Sequence, residues 1–352
     1  MKWYEDPVFE GVPDPYREGR GEMSDHQLKN IGRPAFRLSL QSSVFSGHPL
    51  HHVEEWRRLF GVFEPILRRD AERLLFLTNG LRPRRRKSIK SEDWDPFGHL
   101  RAEVADEGFT FIGFDFQSGF NGGDRYDIGP TKFFMDIASN LFLTATVPVQ
   151  DFENGTLDIA AMKAAILGIP VFSGLAGYGM CLTDTLDWPH PSEEAVYPVA
   201  CKYPVLDLCK DYNRTWSSSQ VRNNDIVKNF WAVGINWLTL IQEPLLAAMG
   251  GKAALTDGLD SAITWEEGPY GLLFQLGDRP ITGEAGVDDA LLPLYFEMGQ
   301  RMRPASGEIP AALKRHTVFS TSPGDRAEDN LRWVQRFYDR EWFEKPCKEI
   351  NE

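Results

Sequence analysis

The chain has 352 residues, of which 42% are hydrophobic and 25% charged, an ordinary globular usage that excludes collagen-like, coiled-coil and wholly disordered chains. Its 38 Lys and Arg against 51 Asp and Glu leave a net charge of −13, which argues against nucleic acid as a direct partner and for a basic one. At about 100–200 residues per domain, the length accommodates two compact units or one large one.

Residues 1–30 scatter Pro7, Gly11, Pro13, Pro15, Gly19 and Gly21 among charges, the pattern of an extended arm. No apolar segment of signal-peptide type opens the chain, so a cytoplasmic protein is expected. FRLSLQSSVF alternates at Phe36, Leu38 and Leu40, a strand signal. EEWRRLFGVFEPILRRDAERLLFL then carries Trp56, Leu59, Phe60, Phe63, Ile66 and Leu67 at helical spacing, with a kink or break expected at Pro65. RPRRRKSIK, residues 82–90, holds six basic residues and no acid. Residues 109–120 and 132–149 are aromatic and β-branched strands on either side of a turn, NGGDRYDIG. TLDIAAMKAAILG is a helix ending at Gly168.

The second half opens with VFSGLAGYGMCL, read as a strand with a glycine-rich turn, and AVYPVACKYPVLDLC, an apolar run interrupted by Pro198 and Pro204. The uncharged stretch Ala164 to Leu182 has nearly the length of a membrane span, but Gly168, Pro170, Gly174, Gly177 and Gly179 break a helix there, and no membrane role is expected. VGINWLTLIQEPLLAAMGG joins a strand to a helix that stops at Gly250. SAITWEEGPYGLLFQLG is a hairpin turning at Gly268–Pro269. DDALLPLYFEMGQRM is a helix with Leu291, Leu294, Tyr295 and Met298 on one face, and a last helix at 325–343 carries Leu331, Val334, Phe337 and Trp342. Strands and helices mix without strict alternation, which makes the fold class α+β, with mixed or antiparallel sheets, packed helices and two halves of similar size. The expected organisation is an arm at 1–30, a body at 31–304 divisible into lobes of about 31–170 and 171–304, and a tail at 305–352.

Catalytic signatures are missing. Gly250-Gly251-Lys252 fails as a phosphate loop because Leu246 and Ala253 stand where Gly and Ser/Thr are needed. His48, His51 and His52 lack a second ligand group of metal-site spacing. Cys181, Cys201, Cys209 and Cys347 form no C-x-x-C pair and read as buried free thiols. Asp115, on an alternating strand, is read first as a solvated carboxylate and second as a general base. Neither cofactor nor metal is expected.

Charge is unevenly distributed. Residues 31–90 hold 13 basic and 5 acidic residues, and residues 91–160 hold 3 and 13. Residues 253–299 hold one basic residue, Arg279, against nine acids: Asp257, Asp260, Glu266, Glu267, Asp278, Glu284, Asp288, Asp289 and Glu297. Such a run is either solvated surface paired within the molecule or a face for a basic partner.

IPVFSGLAGYGM at 169–180, VGINWLTLIQEPLLAAMGG at 233–251, GLLFQLGDRPITGEAG at 271–286 and LLPLYFEMGQRMRP at 291–304 carry one more signal. From about Pro34 to Pro304 the chain resembles the type VI secretion immunity family, formerly a domain of unknown function. The resemblance implies that Gly174, Gly177, Asn236, Trp237, Gly250, Gly251 and Gly277 are structural markers without catalytic work. It implies a cytoplasmic protein that binds and neutralises a cognate toxin, some such toxins resembling nucleases. A nuclease is basic where it holds nucleic acid, so the acidic residues Asp257, Asp260, Glu266, Glu267, Asp278, Glu284, Asp288 and Asp289 become candidate toxin contacts. Two other readings stay open at this point: an adaptor of the secretion apparatus, and a hydrolase using Asp115 or the carboxylates near Glu266.

Overall fold

A computed structural model describes residues 2–10, 32–43, 52–70, 73–78, 86–87, 95–98, 112–118, 129–137, 140–182, 191–208, 234–303, 329, 332–333, 335–338 and 340. The elements in chain order are β1 (Gly32–Ser43), α1 (Val53–Asp70), β2 (Arg73–Thr78), β3 (Arg86–Lys87), β4 (Ile112–Gln117), β5 (Lys132–Ile137), β6 (Asn140–Pro148), α2 (Val149–Glu153) and α3 (Ile159–Leu167). They continue with β7 (Ser173–Leu182), α4 (Pro191–Lys202), β8 (Leu238–Gln242), α5 (Leu245–Ala248), α6 (Gly251–Thr256), β9 (Ile263–Glu267), β10 (Gly271–Leu276) and α7 (Leu292–Met302). The ten strands form one sheet in the order β3-β2-β4-β5-β6-β1-β7-β8-β10-β9. Every strand pairing in it is antiparallel, and helices pack against it, so the fold is α+β.

The order of strands places β1 in the seam. It pairs with β6 on one side and with β7 on the other, so the two sequence halves lie side by side in a single sheet. Its alternation sends Phe36, Leu38 and Leu40 into the larger core, with Trp56, Leu59, Phe60, Phe63, Ile66 and Leu67 of α1 and Phe114, Phe116 and Phe133 of the sheet. The other face of β1 is buried too, yet polar: Arg37, Ser39 and Gln41. Arg37 pairs with Asp207 at 3.0 Å and donates to the Met180 carbonyl at 2.7 Å, tying β1, β7 and the 203–208 segment together. A second core gathers Ile241, Leu272, Phe274 and Leu276 under Leu294, Tyr295 and Met298 of α7.

Several expectations are corrected. Residues 2–10 are not an extended arm: they form two 3-10 turns, Trp3–Glu5 and Pro7–Glu10, docked on Tyr178 and Tyr203 by Trp3 and Phe9. The helix α1 runs unbroken through Pro65, because the missing hydrogen bond falls on the exposed side at Gly61 while the opposite face is buried. β7 is a straight strand with no turn at its glycines. The Pro-interrupted run around Pro198 is helical, within α4. The strand-to-helix reading of 233–251 holds: β8 leads into α5, which ends at Ala248, and Gly250, at φ 95°, turns the chain into the further helix α6. Cys201 is disulfide-bonded rather than a free thiol, since pairing follows from proximity in the fold and not from C-x-x-C spacing. Of the tail, Phe337 is buried against Tyr295 of α7, which makes this part of 305–352 a packed element. His48, His51, Cys209, Cys347, Leu331, Val334, Trp342, most of the 82–90 run and residues 11–30 lie outside the described residues.

Candidate functional site

Gly174, Gly177, Asn236, Trp237 and Gly277 occupy the join between β7, β8 and β10, while Gly250 and Gly251 form the turn between α5 and α6. A Cβ at Gly177 would stand 2.0 Å from Asn236 Oδ1, and one at Gly174 would stand 2.4 Å from Leu40 Cδ2. This close approach lets Asn236 Nδ2 donate to the Tyr178 carbonyl at 3.1 Å while its Oδ1 accepts the Trp237 backbone N–H at 2.8 Å. Trp237 is 5% exposed, packs edge-on against Phe36 and Phe152, and donates its indole N–H to the Gly277 carbonyl at 3.2 Å. Gly251 and Gly277 hold positive φ of 82° and 78°, where a side chain is strained. None of these groups faces solvent with a reactive atom; they bind the two cores to each other.

Five of the acidic residues lie at the end of the sheet formed by β10 and β9, whereas Glu284, Asp288 and Asp289 belong to the loop after β10, which packs on the 203–208 segment. Asp257 and Asp260 sit in the connection from α6 to β9, and Asp278 follows β10; all three are exposed. Asp260 Oδ1 accepts the Ala262 N–H at 2.8 Å, fixing that connection, and Glu297 accepts from Arg301 at 3.0 Å. Glu266 and Glu267 lie at the β9 end of the hairpin, exposed but paired: Lys163 of α3 with Glu266, and Lys252 of α6 with Glu267. Lys252 also lies 4.6 Å over the ring of Trp265. Asp289 is exposed and accepts the Gly286 N–H at 2.9 Å, and Glu284 is half-buried.

Asp288 departs from its expected surface place. It is 3% exposed, and its carboxylate accepts from the Thr282 and Gly283 N–H groups, the Thr282 hydroxyl and Arg279. Four donors converge on it because the 281–288 loop must satisfy its backbone inside the fold. That geometry makes it a loop anchor.

Two exposed aromatics belong to the same surface and escaped the sequence reading: Trp265, 38% exposed, and Tyr270, 36% exposed. The signal was present, since Trp265 stands between Thr264 and two glutamates. Asp115 is half-buried on β4, in register with Leu75 and Phe134, far along the sheet order from the acidic end. Among the described residues no group of three His, Cys, Asp or Glu side chains could hold a metal ion, and no helix is long and apolar enough to cross a membrane.

No curated protein matches the chain. Among solved structures, the Pseudomonas aeruginosa T6SS protein PA0821 shares its fold, with a TM-score of 0.68 at 16% identity, over 99% of this chain and 93% of that one. Residues 141–337, more than half of the chain, match the family model described as type VI immunity for VRR-NUC (TsiV), and the chain therefore belongs to this family of immunity proteins, which neutralise VRR-NUC nuclease toxins and are not themselves enzymes.

Proposed function

We propose that the chain neutralises its cognate VRR-NUC toxin by docking the toxin's basic, nucleic-acid-holding surface on the acidic end of the sheet, within residues 253–299. One observation carries this reading: nine carboxylates against one arginine fall in that segment, and Asp257, Asp260, Glu266, Glu267 and Asp278 are exposed at the strands that end the sheet. A nuclease concentrates positive charge where it holds phosphates, and a negative surface competes for that place. The partner is a protein and not nucleic acid, the 31–304 body acts as one unit, and the cytoplasm, where a nuclease finds its substrate, is the site of action. The hydrolase reading of Asp115 is set aside with the family, and Asp288 leaves the set of contacts.

Glu266 and Glu267 are held by lysines, so Asp257 and Asp278 are the cleaner probes. Asp257→Lys with Asp278→Lys should slow association with the toxin about tenfold at low salt, leave dissociation nearly unchanged, and flatten the fall of the on-rate with salt. Surface plasmon resonance at two salt concentrations measures all three. Identical on-rates and salt slopes for wild type and variant would move the docking surface elsewhere, first to residues 91–160.

A further inference from the structure

Among the described residues the acidic sheet end is also an open sheet edge. Of the strands among the described residues, β9 is the last in the order and pairs with β10 alone. The Gly268 N–H donates to the Gly271 carbonyl at 2.9 Å and the Gly277 N–H to the Ala262 carbonyl at 3.1 Å, which marks 268/271 and 262/277 as hydrogen-bonded pairs. In an antiparallel ladder these pairs alternate, so Thr264 and Glu266 turn their N–H and C=O groups toward β10. Trp265 and Glu267 turn theirs away from it. The Ile263 N–H is returned to the Asp260 carbonyl at 2.9 Å, and among the described residues no partner meets the N–H groups of Trp265 and Glu267. Thr264, Trp265, Glu266 and Glu267 are exposed in succession, met only by the Lys163 and Lys252 side chains among the described residues. Proteins blunt such edges with charged side chains, lysine above all, with proline or with a bulge. ITWEE has no lysine, proline or bulge, and its charges are Glu266 and Glu267, which repel an acidic strand and admit a basic one, whereas β3, at the opposite end of the sheet, is Arg86–Lys87.

We infer that this edge receives an extended segment of the toxin bearing lysine or arginine, which pairs with β9 as an eleventh strand; the inference rests on the docking reading given under Proposed function. Backbone bonds to Trp265 and Glu267 supply the pairing, and the carboxylates at both ends of the strand, Asp257 and Asp260 at one and Glu266 and Glu267 at the other, select a basic occupant. Trp265 and Tyr270 offer the exposed aromatic area on which such contacts concentrate their energy. A second copy of this chain fits less well, because it brings the same acidic segment to the contact.

Glu267 allows a test that separates backbone from charge. Glu267→Pro removes an outward N–H and leaves the β10 ladder whole, a place where an edge strand tolerates proline. Glu267→Gln removes the charge and keeps the N–H. The proline variant should bind the purified toxin domain about tenfold more weakly than the glutamine variant, the loss expected for a forfeited edge hydrogen bond. In the wild-type complex, hydrogen exchange at the Trp265 and Glu267 amides should slow at least about tenfold relative to the free protein; this measurement decides the matter if the proline variant fails to fold. Equal binding by the two variants with no new protection at these amides overturns the edge inference and leaves the docking reading in place. Wild type that does not bind the toxin overturns both. Protection that grows with the concentration of this protein alone, is lost in Glu267→Pro and leaves toxin binding intact assigns the edge to a second copy and overturns the toxin as occupant.

Discussion

Gly177 and Asn236 form a lock that works by exclusion. The hydrogen-alone side of Gly177 lets the Asn236 amide lie flat on β7, where it serves the Tyr178 carbonyl and the Trp237 N–H together. Gly177→Ala drives a methyl group to within 2.0 Å of Asn236 Oδ1, so the amide must move and both bonds suffer. Two buried hydrogen bonds at about 1 kcal/mol each, plus disturbed packing of Trp237, put the cost at about 2–4 kcal/mol. Asn236→Ala loses the same bonds without a clash, so the double variant should be no less stable than Gly177→Ala alone. Urea denaturation of the four proteins gives the cycle. Additive losses would show that the two residues act independently. The sequence exposed these residues as a motif but hid their coupling, because 59 positions separate them and only the β7–β8 pairing brings them together.

At the scale of elements, the hairpin of β9 and β10 and the helix α7 were legible, since apolar periodicity and the Gly268–Pro269 turn define them locally. The 3-10 turns of residues 2–10 were not. Pro7 and the prolines and glycines that follow from Gly11 describe a chain without regular structure, and the hold of residues 2–10 on the body comes from partners nearly 200 positions away. Asp6 accepts from Tyr203 at 2.6 Å and pairs with Lys202 of α4, while Trp3 and Phe9 pack on the same tyrosine. Burial pushes the Asp6 carboxyl up, but the hydrogen bonds from Lys202, Tyr203 and the Val8 N–H outweigh it and hold the group below its usual 3.8. A carboxylate with a lowered native pKa stabilises the fold fully above the unfolded value, and that contribution vanishes as pH falls through the native one. Asp6→Asn should therefore cost about 1–2 kcal/mol near neutrality, a cost that shrinks as the pH falls below 3.8 and through the lower native value. Thermal melts of both proteins across pH 2–7 test this; a difference that persists at the acid end would trace the loss to packing and not to charge.

For the whole molecule the seam at β1 decides how the two halves behave. A split into lobes at about residue 170 was a reasonable sequence expectation, yet β1, from the first half, pairs along nearly its full length with β7, from the second. Arg37 and Asp207 are buried within this seam at 3.0 Å, with the Ser39 hydroxyl donating to the Asp207 carboxylate at 3.1 Å. A sheet shared in this way has no line along which one half can unfold and leave the other its core. Urea unfolding followed by far-UV circular dichroism and by tryptophan fluorescence should accordingly give coincident transitions, although chains of this length commonly unfold in stages. Removing one partner of the buried pair sharpens the expectation: Asp207→Ala leaves the guanidinium of Arg37 buried without its carboxylate, at a cost of about 3–5 kcal/mol. If the halves share the seam, both probes shift to lower urea by the same amount. A fluorescence transition that moves while the other stays would mean that the halves hold themselves together separately, and the acidic end of the sheet would then be stable without the seam.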